Sequence, residues 1–255
     1  MTDDHDRGLV FDLETLVARR RVLGLFAGAG LAALVGCSDS DATSGGASTE
    51  EIPEETAGPY PGDGSNGPNV LTQSGIVRSD IRSSFGSSTG RAEGVPLTVE
   101  LTIAENTTGA ALPGAALYLW HCDAQGRYSL YSEGATNENY LRGVQAADQS
   151  GKVRFTTVFP AAYQGRWPHI HFEVYASLNE ATAAGKISAT SQLALPEDVC
   201  RAVYQTNGYP GSLQNLERTS LQTDMVFSDD GAVHQLATVS GSADRGYTAR
   251  LTVPV

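Results

Sequence analysis

The 255-residue chain reads as all-β, a sandwich or barrel with short helices in its connections. Three observations predict this. Apolar residues recur with a period of two in five separate stretches, the mark of half-buried strands. Turn-forming residues separate several of those stretches. No long stretch carries the 3.6-residue period of an amphipathic helix. With 40% apolar and 18% charged residues the composition is that of an ordinary globular protein, which excludes collagen-like, coiled-coil and wholly disordered chains.

In chain order, the first predicted strand is Leu97–Ile103, where Leu97, Val99, Leu101 and Ile103 take one face and Thr98, Glu100 and Thr102 the other. The turn residues of Glu105–Gly109 follow, and Pro113-Gly114 leads into a second strand, Ala115–His121. Asp148–Gly151 introduces a third, Lys152–Phe159, with Val153, Phe155, Thr157 and Phe159 on one side. His169–Tyr175 is the fourth and Tyr247–Val253 the last. Glu197–Tyr204 is the one segment expected as a short helix. Many short strands joined by turns define a two-layer or closed β architecture. There is no internal repeat.

Residues 1–36 are expected to be a leader rather than part of the fold. Arg19, Arg20 and Arg21 precede an apolar run, Val22–Gly36. At ~1.5 Å per residue that run spans about 22 Å, short of the ~30 Å hydrocarbon core, as in a signal peptide rather than a membrane-spanning helix. The R-R-x-x-L pattern resembles a twin-arginine export signal. Leu34-Val35-Gly36-Cys37 resembles a lipobox, with Cys37 as the lipidated residue after cleavage. Residues 37–51 are Ser-, Asp-, Gly- and Thr-rich and read as a flexible tether, because they lack the apolar surface to offset their ordering entropy. Residues 52–255 then form a single domain. The expected location is the cell envelope, with membrane contact only through the N-terminal lipid.

Seventeen Lys and Arg against 29 Asp and Glu give a formal charge of −12, and no basic stripe offsets it. Nucleic acid is thereby excluded as a partner, since phosphate binding rests on clustered cations. Beyond Cys37 two cysteines remain, Cys122 and Cys200. In an oxidising compartment such an even pair is expected as a disulfide, although two buried thiols would leave the same trace in sequence.

The sharpest local feature is Arg166-Trp167-Pro168-His169-Ile170-His171-Phe172-Glu173-Val174. On a strand, residues i and i+2 share a face with Cα atoms about 6.6 Å apart. His169 and His171 can therefore offer two imidazoles to one metal while Ile170, Phe172 and Val174 face a core. Exposed or mutually hydrogen-bonded histidines fit the same spacing, and zinc and copper sites use such pairs as well. Tyr163 lies six residues upstream, and Tyr128 lies in Trp120-His121-Cys122-Asp123-Ala124-Gln125-Gly126-Arg127-Tyr128-Ser129. A phenol with a pKa near 10 ligates well only as phenolate, so it suits a hard, strongly acidic cation such as Fe(III). His121 and His234 carry no ligand pattern and are expected to be structural.

Taken together these residues resemble the intradiol ring-cleavage dioxygenases, the ferric family of protocatechuate, catechol and hydroxyquinol dioxygenases, and in particular its exported single-domain members. The matching segments are Glu55-Thr56-Ala57-Gly58-Pro59-Tyr60, Val77–Ile81, Leu119–Ser129, Leu141–Gln145, Phe159–Val174 and Thr190–Leu193, in the family's order over roughly residues 50–230. The resemblance implies a β-sandwich and four ferric ligands, Tyr128, Tyr163, His169 and His171, with Tyr163 the tyrosinate that leaves when substrate binds. It makes Arg166 the arginine facing the bound ring and Gln192 a glutamine just outside the ligand set. It implies a catechol-type substrate and O2, cleaved between the hydroxylated carbons to a cis,cis-muconic acid derivative without external reductant. His169 follows Tyr163 by six positions, a shorter loop than in the protocatechuate and catechol enzymes. Three other readings stay open on sequence: a lipid-anchored metal- or catechol-binding module without turnover, an Fe(II) extradiol enzyme using Glu173 beside the histidines, and a metal-free structural domain.

Overall fold

The computed structural model describes residues 50–255; the leader, Cys37 and all but the end of the tether lie outside the described residues. Among the described residues eight strands form two four-stranded sheets. The first sheet contains β1 (Pro96–Ala104), β4 (Lys152–Val158), β7 (Thr238–Ser242) and β8 (Gly246–Pro254), in the order β4-β1-β8-β7. The second contains β2 (Ala116–Trp120), β3 (Arg142–Ala146), β5 (His169–Tyr175) and β6 (Ile187–Ala194), in the order β3-β2-β5-β6. Neighbours run antiparallel except β1 and β8, which pair in parallel with Val99 beside Ala249. Of the two architectures left open by the period-two pattern, the chain adopts the sandwich.

The five predicted strands all form, within a residue or two of their expected ends, and the helix over Glu197–Tyr204 forms at its expected bounds. Three strands and two helices are additional. The β3 strand reads Arg-Gly-Val-Gln-Ala, with just two apolar side chains, Val144 and Ala146. Most of β6 is buried on both faces and is built from small and polar residues, so no alternation marks it. The exposed strand β7 reads Thr-Val-Ser-Gly-Ser. Helix α1 (Leu178–Thr182) and helix α3 (Ser212–Glu217) are too short to show a helical period, whereas α2 (Glu197–Tyr204) buries Cys200, Val203 and Tyr204 at i, i+3 and i+4.

The core lies between the sheets, where Leu97, Val99, Leu101, Phe155 and Ala249 meet Leu117, Leu119, Ile170, Phe172 and Val174. Sheet two is also covered on its other face. There Ala116, Tyr118, Trp120, Val144 and Tyr175 pack under Val70, Leu71 and Ile76 from the irregular segment ahead of β1, and under Ala181 of α1. That segment closes one side of the sandwich: Val144 donates its N–H to the Ile76 carbonyl, and Thr156 of β4 donates to that of Ser79. Double coverage is what buries every residue of β5, including both histidines.

Cys122 and Cys200 are free thiols, which corrects the expected disulfide. Cys122 packs with Trp120 and Tyr128 on the outer face of sheet two, its Sγ 3.7 Å from the Ala161 carbonyl, while Cys200 on α2 belongs to the inter-sheet core. Burial raises both thiols well above their ordinary range, so each behaves as a small apolar side chain.

Candidate metal centre

Strand β5 supplies two of the four residues singled out by the resemblance. Its alternation sends Ile170, Phe172 and Val174 into the core and His169, His171 and Glu173 to the opposite face. The loop entering β5 supplies Tyr163, and the turn after β2 supplies Tyr128. Their polar atoms converge. Tyr163 Oη lies 3.1 Å from His169 Nε2, which is 3.1 Å from His171 Nε2; Tyr128 Oη lies 3.4 Å from Tyr163 Oη and 3.5 Å from His169 Nε2. Separations of this size are those of donors each about 2 Å from one common ion.

Each donor is held by its own neighbours. His169 Nδ1 donates to the Trp167 carbonyl at 2.6 Å, which leaves the Nε2 lone pair for a ligand. The His171 ring lies parallel to Trp120, centroids 5.0 Å apart and 4° between planes, and Tyr118 stacks on Trp120 in turn. That stack follows from register, since Trp120 pairs with His171 across β2 and β5. Tyr128 ends a turn organised by Asp123, whose carboxylate accepts from the N–H groups of Gln125 and Arg127, from the Arg127 guanidinium and from the Tyr140 hydroxyl. Arg142, on β3 and fully buried, donates to the carbonyls of Tyr60, Pro61 and Ser129 and to the hydroxyls of Tyr118 and Ser129. One guanidinium thus ties the Tyr128 turn to the irregular N-terminal segment. Tyr163 is placed by the C-terminal helices. Tyr204 and Tyr209 donate to the carbonyls of Pro160 and Phe159, and Asn215 Nδ2 donates to that of Ala162.

The electrostatics suit metal ligation. Burial, helped by the nearby Arg166 charge, holds His169 well below the usual imidazole range; burial and the neighbouring His169 do the same for His171. Both are therefore neutral, the ligating form. Burial pushes Tyr128 well above the ordinary phenol range, and Tyr163 beside it adds to the effect. Drawing off that proton takes a strongly polarising cation. Among the described residues no three His, Cys, Asp or Glu side chains gather into a metal site; the quartet of converging donors here is two imidazole nitrogens and two phenol oxygens. Glu173 does not join it: its Oε2 accepts from the Tyr175 hydroxyl at 2.7 Å.

Arg166 and Gln192 flank the quartet, both buried. Arg166 Nη2 donates to Gln192 Oε1 at 2.7 Å, and Gln192 Nε2 donates to the Thr56 carbonyl at 2.8 Å. Gln192 sits opposite His171 in the β5–β6 register. Sequence reasoning missed Asp224, whose Oδ2 lies 3.0 Å from Arg166 Nε; 58 residues of separation and no motif conceal it. It also passed over Trp120 as a support for His171, although the shared face of Tyr118 and Trp120 on a period-two strand was there to be read. His121 is structural, as expected: its Nδ1 donates to the Cys122 carbonyl and its Nε2 accepts from Thr157 Oγ1. His234 lies at the surface, 2.9 Å from Glu50.

Comparison with known proteins gives one consistent picture. A family model described as Dioxygenase matches residues 66–206, more than half of the chain. A catechol 1,2-dioxygenase of Pseudomonas sp. (strain EST1001) is 38% identical over 58 residues, which is 23% of this chain and 19% of that protein; the match thus spans about a fifth of the relative's length. Among solved structures, an intradiol ring-cleavage dioxygenase from Tetranychus urticae superposes with a TM-score of 0.62 at 22% identity, over 80% of this chain and 94% of that one. The dioxygenase domain of a dioxygenase–carbohydrate-binding fusion from Streptomyces sp. SirexAA-E gives 0.51 at 22% identity, over 81% and 98%. At such identities the structural likenesses establish the fold.

Proposed function

The chain belongs to the dioxygenase family, in the intradiol ring-cleavage group that its motifs resemble, and from that premise we propose that it is a non-haem Fe(III) dioxygenase. It cleaves a catechol-type ring between the two hydroxylated carbons, consumes O2, and releases a cis,cis-muconic acid derivative. The observation that carries the proposal is the convergence of two phenol oxygens and two imidazole nitrogens at 3.1–3.5 Å. Tyr128, Tyr163, His169 and His171 would hold the iron. The chemistry supplied by bound Fe(III) is chelation of the catecholate and activation of its ring toward O2.

The protein's own groups supply the rest. Tyr163 is only partly buried whereas Tyr128 and both histidines are buried, so Tyr163 is the ligand with room to move. Its Oη would take one of the two catechol protons as substrate arrives, and the other would leave to a solvent-derived base in the site. Tyr128, packed against the Tyr60 ring at 5.0 Å, stays fixed. Arg166, bonded to Gln192, presents a preorganised positive charge to the negative charge that develops on the ring. Chain position adds a reading of place: twin-arginine export followed by acylation of Cys37 would put this activity in the cell envelope.

Product analysis tests the proposal. Incubation of the iron-loaded protein with a catechol panel under 18O2 should give a muconic acid, colourless in the visible and labelled from a single O2. The protein itself should be red to burgundy from phenolate-to-iron charge transfer, and Tyr128→Phe should lose that colour. A yellow semialdehyde, or no O2 uptake across the panel, would overturn the assignment.

A further inference from the structure

Asp224 lies in the irregular segment between α3 and β7, beyond the 66–206 stretch that matches the family model. It is fully buried and its carboxylate is saturated. Oδ1 accepts from the N–H groups of Val226 and Phe227 at 2.9 and 3.1 Å. Oδ2 accepts from Arg166 Nε at 3.0 Å and from the Trp167 N–H at 2.6 Å. The carboxylate therefore joins the C-terminal segment to the two residues that lead into β5. Beyond it the bonds run in series, from Arg166 Nη2 to Gln192 Oε1 and from Gln192 Nε2 to the Thr56 carbonyl. The Phe227 ring, 6.0 Å from the guanidinium carbon, lies against the same group.

A guanidinium is a planar fork, so bonds at Nε and at Nη2 together fix both its position and the direction of its plane. Burial raises the value of that fixing. A buried arginine with one acceptor removed must swing to another or drag water in, and an electrostatic stabiliser displaced by an ångström loses most of its effect. We propose that Asp224 is the positioning residue for Arg166, holding its guanidinium toward the substrate side of the metal centre. The inference rests on the reading of Arg166 given above and adds to it a residue that no motif marks. Asp224 touches neither substrate nor metal in this scheme. It acts through the arginine alone.

A double-mutant cycle separates that role from simple support of the loop. Asp224→Asn keeps the shape but offers an amide N–H2 where an oxygen stood, so it leaves donors facing donors. In the native background kcat/KM for catechol should fall by about 10- to 100-fold, less than the ~10²–10³-fold cost of removing a preorganised donor outright because the guanidinium is displaced rather than deleted, while iron content and colour persist. In the Arg166→Ala background the same substitution should change kcat/KM by less than about 3-fold, because the group it positions is gone. The cycle is read a second time on the anaerobic Kd for catechol, from the shift of the charge-transfer band. Equal losses with and without Arg166, or an unchanged native-background value, would overturn the proposal. So would loss of iron in Asp224→Asn alongside retention in Asp224→Ala. If catechol binds with the expected coupling but is not turned over, the dioxygenase reading fails and the role of Asp224 stands. A protein that takes up neither iron nor catechol would sink both.

Discussion

Glu55 and Gln235 show at the residue scale how much burial this site tolerates. Gln235 Nε2 donates to Glu55 Oε1 at 2.9 Å in a pocket closed to water. Burial lifts the Glu55 carboxyl from 4.5 to about 8; Asp229 and Asp230 push the same way, and the Gln235 bond and Arg166 oppose it. The folded state therefore keeps a proton that the unfolded chain gives up above about 4.5. Between that pH and about 8 the folded state binds more protons, so stability falls as pH rises through the window. Glu173, also raised to about 8 by burial, acts in the same direction. His121, lowered to about 4 by burial, acts oppositely, and its contribution is lost as pH falls from 6.5 toward 4. Glu55→Gln keeps the Gln235 bond and removes one titration. Thermal melts across the window should show a shallower alkaline decline in the variant, with the remainder due to Glu173. An identical decline would exclude Glu55 as its source.

At the scale of elements, the site depends on strands holding irregular loops in place. Strand β3 looks unremarkable in sequence, yet its Arg142 makes bonds to three carbonyls and two hydroxyls across the Tyr60, Tyr118 and Ser129 regions. Substitution by Met would strand those acceptors in a dry interior. A hydrogen bond to a charged group contributes about 1.5–3 kcal/mol, so Arg142→Met should destabilise the fold by on the order of 3 kcal/mol. Because the Tyr128 turn hangs from the same group, iron stoichiometry should drop under conditions where far-UV circular dichroism still reports native β structure. Denaturant titration together with metal analysis checks both, and retention of full iron would show that Asp123 alone holds the turn. The elements legible in the sequence were those buried on one face, such as β1 and β8. Strand β5 was readable through its histidines and its apolar partners. Strand β6 was not, because coverage on both faces erases alternation in a run of Ser, Ala and Thr.

For the whole molecule, the sandwich, the N-terminal cover and the C-terminal helices form one support for the quartet. The segment ahead of β1 packs on the outer face of sheet two, where His169 and His171 lie buried and desolvated. Helices α2 and α3 fix the loop that carries Tyr163. Everything N-terminal to residue 50 lies outside the described residues, and there the expectation rests on chain chemistry. Cys37→Ser removes the thiol that acylation requires. The full-length variant expressed in an exporting host should move from the membrane fraction to the soluble envelope fraction with its charge-transfer colour intact. Fractionation that leaves the variant membrane-bound would rule out a lipid on Cys37 as the anchor.

The sequence by itself determined the strand-rich architecture and the shared face of His169 and His171 on β5, and the family resemblance of its motifs pointed to the four residues whose polar atoms the fold gathers. These are local properties: a period of two, an i, i+2 histidine pair, and tyrosines in compact turn motifs. Tertiary structure alone decided the rest. Whether Cys122 and Cys200 bond depends on which apolar cluster each joins, and they join different ones. The Asp224–Arg166–Gln192–Thr56 series spans four separate regions of the chain, so no spacing could announce it. The protonation states of His169, His171 and Tyr128 follow from desolvation, which exists only once distant segments have closed over them.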